Sequence, residues 1–336
     1  MMKSALSHIF RNPFLLILLT AIIKLPLFLT KNIQEDSFIT WRVARNVLNY
    51  GVIGFNGDER ISASTTHLYV IVTAFFQLLF GESFIYPLLI FSGILFAIGS
   101  YWFSKILFPT NALRRGFFVI FLNMVPPALA ASGLGMEYGI LFFLYNGLIY
   151  FALHQRKNWA YLVFPILLLW TRIDTVIFLG IFFLADLMIR RKINFIFILG
   201  GIIGVCSVVS FNYLYFGELV NHTITAKKIA YKNLIQNNSF TNLLYQWAYY
   251  GGLIKKYSIY TLFVFLAFLG FLGFCIFKII KNKTKISYPT KVILITTVVF
   301  ALLKVTIFAY FKAYFDWYYW LPRVFMFALV LFFALN

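Results

Sequence analysis

The sequence predicts an all-α polytopic membrane protein. It would have about ten transmembrane helices, with further interfacial helices in the first outer loop. Three observations predict this. The 336 residues are 62% hydrophobic and only 12% charged, whereas soluble domains sit nearer half apolar and a quarter charged. Apolar runs of about 17–22 residues recur, long enough to cross a hydrocarbon layer roughly 30 Å thick. The short Lys/Arg clusters also fall on one side of the membrane once those runs are threaded. No polar stretch is long enough for a separate soluble domain, including at the C-terminal end, so 1–336 reads as one membrane-embedded module.

The first span is 12–30. It carries Lys24 and lacks a small-x-small cleavage site, so it reads as a retained helix and not a signal peptide. The first outer loop, 31–83, follows. Residues 36–50 read as a helix lying along the surface. The run 64–80 has the length of a short span, but it opens with Ser64-Thr-Thr-His67 and is interrupted by Gln77. Charge decides its reading. If 64–80 does not cross, Lys105, Arg114 and Arg115, then Arg156 and Lys157, then Arg190, Arg191 and Lys192, then Lys278 to Lys291 all face the cytoplasm. If it crosses, all of them land outside, against the positive-inside bias. The run is therefore interfacial or re-entrant. The remaining spans are 84–106, 116–131, 137–153, 159–171, 173–189, 193–211, 259–280, 291–311 and 319–335, with a second large outer loop at 212–258.

The formal charge is +19. Its distribution over loops fits anionic lipid headgroups and cytoplasmic orientation, not nucleic acid. Cys206 and Cys275 lie inside apolar runs and read as small core residues. Phosphate-binding glycine loops, dinucleotide fingerprints and zinc spacings are absent from the sequence.

This threading separates the ten acidic residues. Asp186 alone lies near the inner face, four residues before Arg190, which suits a structural ion pair. Glu35, Asp36, Asp58, Glu59, Glu82, Glu137, Asp174, Glu218 and Asp316 all fall at or near the outer face. Charges held near membrane depth are costly and mark functional sites. Glu35-Asp36 is the sharpest candidate; its bland reading is a helix cap. Arg42, Arg45 and Asn46 follow on the same segment. Glu137 ends the glycine-containing turn Ser132-Gly-Leu-Gly-Met-Glu. Arg172 and Asp174 interrupt an apolar stretch and either pair with each other or face a site. Glu218, Asn221 and His222 open the second outer loop. Lys227 and Lys228 stand outside against the topology trend, which suits an anionic ligand, though a solvated loop explains them equally well. Arg323 lies just inside the last span, after the interfacial Asp316-Trp-Tyr-Tyr-Trp320.

Glu35-Asp36-Ser-Phe-Ile-Thr-Trp-Arg42-Val-Ala-Arg45-Asn46 resembles the acidic-pair segment of bacterial GT-C fold glycosyltransferases, nearest to their arabinofuranosyltransferase-like and mannosyltransferase-like members. Further segments resemble that group in the same order. They are Val52-Ile-Gly-Phe55-Asn56-Gly57-Asp58-Glu59-Arg60, Thr65-Thr66-His67-Leu68, Ser132-Gly-Leu-Gly-Met-Glu137, Thr171-Arg172-Ile-Asp174 and Tyr215-Phe216-Gly217-Glu218…Asn221…Lys227. The likeness covers roughly 33–230. Glu35 replaces a commoner Asp, and His67, Ile173 and Val220 stand where prolines are usual.

The resemblance implies sugar transfer from a polyprenyl-phosphate donor to a glycan, lipid or protein acceptor, at the outer face of a bacterial inner membrane. Asp36 would be the catalytic base, partial desolvation raising its pKa toward a useful value. Glu35 would be its alternate or a metal ligand. The two carboxylates leave Mg²⁺ or Mn²⁺ open without establishing either. Arg172, Lys227, Lys228, Arg42, Arg45 and Arg323 would be the cations for the donor phosphate. Asn46, Glu137, Asp174, Glu218, Asn221 and His222 would line the site. One base and in-line displacement imply inversion. From another class, a transporter or flippase of an anionic glycolipid or small anion would also explain intramembrane charge; the sequence shows no inverted repeat.

Overall fold

The computed structural model describes residues 9–30, 32–219, 221–230, 286–310 and 315–336, with a few helical positions between 266 and 277. These residues are mostly helical, with no strand among them. Nearly all of the expected span 259–280, the second half of the 212–258 loop and the side chains of Lys227 and Lys228 lie outside the described residues.

The helices begin with α1 (Pro13–Leu29), α2 (Glu35–Tyr50), α3 (His67–Phe80), α4 (Ile85–Leu107), α5 (Ala112–Met124) and α6 (Pro126–Gly133). They continue with α7 (Tyr138–Ile149, extended by a π turn to His154), α8 (Asn158–Thr171), α9 (Val176–Arg190) and α10 (Phe195–Phe216). Next are α11 (His222–Ala230), α12 (Tyr288–Tyr310) and α13 (Trp320–Leu335). Local chemistry sets several starts. Asn12, Asn111 and Asn194 each accept backbone N–H bonds at the head of α1, α5 and α10. Glu35 and Asp36 fill the first turn of α2, where carboxylates favour the positive end of the helix dipole.

Among the described residues, four helical segments are long and apolar enough to cross a membrane: Ile85–Leu107, Phe195–Phe216, Tyr288–Phe308 and Asp316–Leu335. A fifth forms if α5 and α6 are one span. The expected run 116–131 is not straight: α5 and α6 meet at a 72° bend. Val125 precedes Pro126-Pro127, and a residue before proline is pushed out of the helical region, here to ψ 142°.

Contacts divide the chain into two units, Met1–Val176 with Asn194–Ile229, and Ile177–Ile193 with Ala230–Asn336. In the first, α4 packs along α7, with Phe96 and Phe142 stacked at 4.2 Å. Gly139 permits this, since a Cβ there would lie 2.1 Å from Ser92 Oγ. α8 packs along α10, tied by Trp170 Nε1 donating to Ser207 Oγ at 2.9 Å. α2 packs on α3 through Val43, Ala44, Val70 and Ala74. The opposite face of α3 is apolar and exposed, with Ile71, Phe75, Leu78 and Leu79. In the second unit α12 packs against α13, and Phe178 of α9 meets Phe300 and Phe325 at 5.3 and 6.1 Å. Buried Asp186 accepts from both Arg190 and Tyr288 there.

Candidate functional site

The first turn of α2 docks on the turn between α6 and α7. Gln34 N and Ser37 Oγ both donate to the Leu134 carbonyl, at 2.9 and 3.1 Å. Gly135 then takes φ +87°, and its carbonyl accepts from Tyr69 OH at 2.7 Å. A Cβ at Gly135 would stand 2.8 Å from the Trp41 ring and 3.0 Å from Ser37 Oγ. One turn therefore meets α2 and α3 together.

Glu137 closes this turn, at most ~11 Å of chain beyond Leu134. It is 1% exposed, and its Oε1 accepts from Arg172 Nη1 at 2.6 Å. Arg172 sits in the break after α8, where its φ and ψ are extended. Its Nε donates to Asp174 Oδ1 at 2.9 Å, and its Nη2 to Oδ2 at 3.4 Å. The guanidinium is shared by two carboxylates, which keeps a nearly buried charge tolerable. Burial first, and the nearby Glu137 charge second, push the Tyr69 phenol up from its ordinary value.

The acidic pair is split by helix geometry. Successive residues lie about 100° apart around a helix. Glu35 is exposed and Asp36 is half-buried. Asp36 shares its face with Thr40, one turn on, whose hydroxyl shares a 3.2 Å hydrogen bond with Ser64; Ser64 shares another with Thr66 at 2.9 Å. Next to Thr66, His67 Nε2 lies 3.0 Å from Asn212 Oδ1, and Asn212 Nδ2 donates to Asn221 Oδ1 at 2.8 Å. Because Asn212 spends its amide group on Asn221, its oxygen accepts and His67 Nε2 carries the proton. Phe216 stacks on this ring. Burial lowers the His67 pKa, and the Asn212 bond partly opposes that. His222 Nδ1 accepts from Ser62 N at 3.3 Å, which seats the start of α11 beside the same segment. His222 Nε2 lies 3.7 Å from exposed Glu218.

The other candidates have different neighbours. Asn46 is buried and donates to the Gly54 and Phe55 carbonyls, at 3.0 and 2.9 Å. Arg42 braces the same loop, donating to Phe55 O at 2.8 Å and to Asn56 Oδ1 at 3.3 Å. Arg45 pairs with Glu82 at 2.7 Å in the open. These two arginines face away from Asp36. Arg323 belongs to the second unit, where it pairs with Asp316 at 2.8 Å. Among the described residues no three His, Cys, Asp or Glu gather as a metal site.

The structure thus joins the Glu35-Asp36 helix to Glu137, Arg172 and Asp174, and joins His67 to Asn221. His67, Thr40, Ser64 and Tyr69 are not among the sequence candidates. A histidine heading an otherwise apolar helix was the available signal for the first; the hydroxyls carried none. Comparison with family models, curated proteins and solved structures finds no match to this chain.

Proposed function

We propose that this chain is a membrane glycosyltransferase. It would take a sugar from a polyprenyl-phosphate donor and attach it to a cell-envelope glycan, lipid or protein acceptor. One observation supports the reading most. Three stretches that resemble the glycosyltransferase group come together in space although they lie far apart in the chain. The acidic-pair helix contacts the Gly-Leu-Gly-Met-Glu turn, and that turn's Glu137 holds the arginine of Thr171-Arg172-Ile-Asp174.

Asp36 is the base. It takes the proton of the acceptor hydroxyl as that oxygen bonds to the anomeric carbon, and the donor's phosphate leaves with the electron pair of the broken bond. Half-burial, on the face of α2 that also carries Thr40, favours Asp36 over exposed Glu35. Arg172, shared between two carboxylates, positions Glu137 and the turn. Lys227 and Lys228, on the helix seated by His222, are the cations for the phosphate. Either carboxylate of the pair remains open to Mg²⁺ or Mn²⁺.

In this reading the shorter apolar helices α1, α7, α8 and α9 also span, giving about ten crossings with the 259–280 run included. The site then faces outward from a bacterial inner membrane. The test is transfer from a synthetic polyprenyl-phosphate sugar by the purified, folded protein. Asp36→Asn is expected to lower the rate by about 10²–10⁴-fold, and Glu35→Gln by much less. Full activity in both variants would sink the mechanism.

A transporter or flippase is the second reading. The 72° bend after α5 favours it, together with Lys24, which is fully buried and donates to Ser132 Oγ of α6 at 2.8 Å. Transporters use broken helices and charge at depth. Movement of labelled glycolipid across vesicles without any sugar transfer would select it.

A further inference from the structure

The groove on the far side of α2 is lined by polar and apolar groups that the proposed reaction does not use. It encloses about 520 Å³ between α2, the end of α3 and the start of α4. Arg42 and Arg45 line it together with Phe38, Gln77, Phe84 and Ile85. Arg45 lies roughly 180° around the helix from Asp36, and Phe38 roughly 160°. The groove therefore opens on the face of α2 opposite to the candidate base.

We propose that this groove binds the headgroup of an anionic glycerophospholipid. The inference requires a membrane-embedded chain but not sugar transfer. Charge is the first argument. Two guanidiniums face one carboxylate, Glu82, so the lining is net positive. The Arg45–Glu82 pair is 50% and 86% exposed on its two side chains. Exposed pairs of this kind are weak, so a phosphate can take Arg45 from Glu82. Depth is the second argument. Phe84 and Ile85 are the cap and first residue of α4, a 23-residue candidate span. The groove thus sits where a span ends, at headgroup level. The third argument is the neighbouring surface. Ile71, Phe75, Leu78 and Leu79 form the exposed face of α3, an apolar strip along which acyl chains can lie. On the floor, Gln77 Nε2 donates to Trp41 O at 2.9 Å, while its Oε1 is buried with no partner among the described residues.

Binding would be measured by native mass spectrometry of the full chain released from phosphatidylcholine nanodiscs. The probes are phosphatidylglycerol, phosphatidylcholine, a polyprenyl phosphate and inorganic phosphate. Phosphatidylglycerol is expected to bind about tenfold tighter than phosphatidylcholine. Arg45→Gln, which breaks only an exposed pair, is expected to erase most of that preference. Glu82→Gln, which releases Arg45, is expected to strengthen it. Equal affinity for the two phospholipids overturns the proposal, as does a preference unchanged in both variants. One-for-one displacement by polyprenyl phosphate would assign the groove to the donor instead, and inorganic phosphate binding as tightly as the lipid would make it a free-anion site. Loss of sugar transfer with lipid binding intact leaves the proposal standing, so its failure and that of the enzyme reading are distinguishable.

Discussion

Arg172 carries more of the site than any other single residue, because two carboxylates depend on it. Removing it leaves the Glu137 carboxyl enclosed without its counter-ion. Arg172→Met is expected to cost about 3–5 kcal/mol, the usual range for a buried pair broken on one side. The double change Arg172→Met with Glu137→Leu should recover much of that, and thermal unfolding in detergent measures both. His67 gives a pH signature. Its ordinary pKa is 6.5 and burial lowers it. Above 6.5 the ring is neutral folded or unfolded, and its contribution is fully present. As the pH falls below 6.5 the unfolded chain takes the proton first, so stability drains until the folded ring is protonated too. The melting temperature should fall between about pH 7 and pH 5, and fall less in His67→Gln, which can still donate to Asn212. At this scale the sequence exposes the near and hides the far. Arg172 and Asp174 are two residues apart, so their pairing is an open alternative from spacing alone. Glu137 is thirty-five positions away from Arg172, and no local pattern links them.

The elements were the most readable level. Apolar length and charge placement anticipate α1, α4, α7, α8, α9, α10, α12 and α13 to within a few residues, and α2 and α3 as helices of the first loop. The bend after α5 was also written in the chain, as Val125-Pro126-Pro127, but an apolar-run reading passes over it. What could not be read is how α2 meets the 134–137 turn, since that depends on one backbone dihedral. Gly135 at φ +87° lets the turn approach Trp41 and Ser37. Gly135→Ala is expected to cost about 1–3 kcal/mol through strain and crowding, and to weaken the proposed transfer with it. Gly180 in α9 is the control: nothing lies within 4 Å of its Cβ position, so Gly180→Ala should be neutral or mildly stabilising. Parallel melting curves of the two variants decide the matter.

At the level of the whole molecule, the proposed orientation has a direct check. With Cys206 and Cys275 replaced by serine, single cysteines are placed at Asp58, Glu82 and Arg156. A membrane-impermeant thiol reagent on intact cells should label the first two, and reach Arg156→Cys only after the membrane is opened. Labelling in the reverse pattern would put the acidic pair in the cytoplasm and remove both the topology and the enzyme reading. The same long-range contacts also set an order of assembly. A ribosome adds about 5–20 residues each second. Asp36 leaves it 101 residues before Glu137, and Glu137 leaves 35 residues before Arg172. For several seconds the helix of the acidic pair has no turn to rest on. For a shorter interval afterwards, Glu137 exists without its counter-ion, so the buried pair that closes the site can form only once Arg172 has been made.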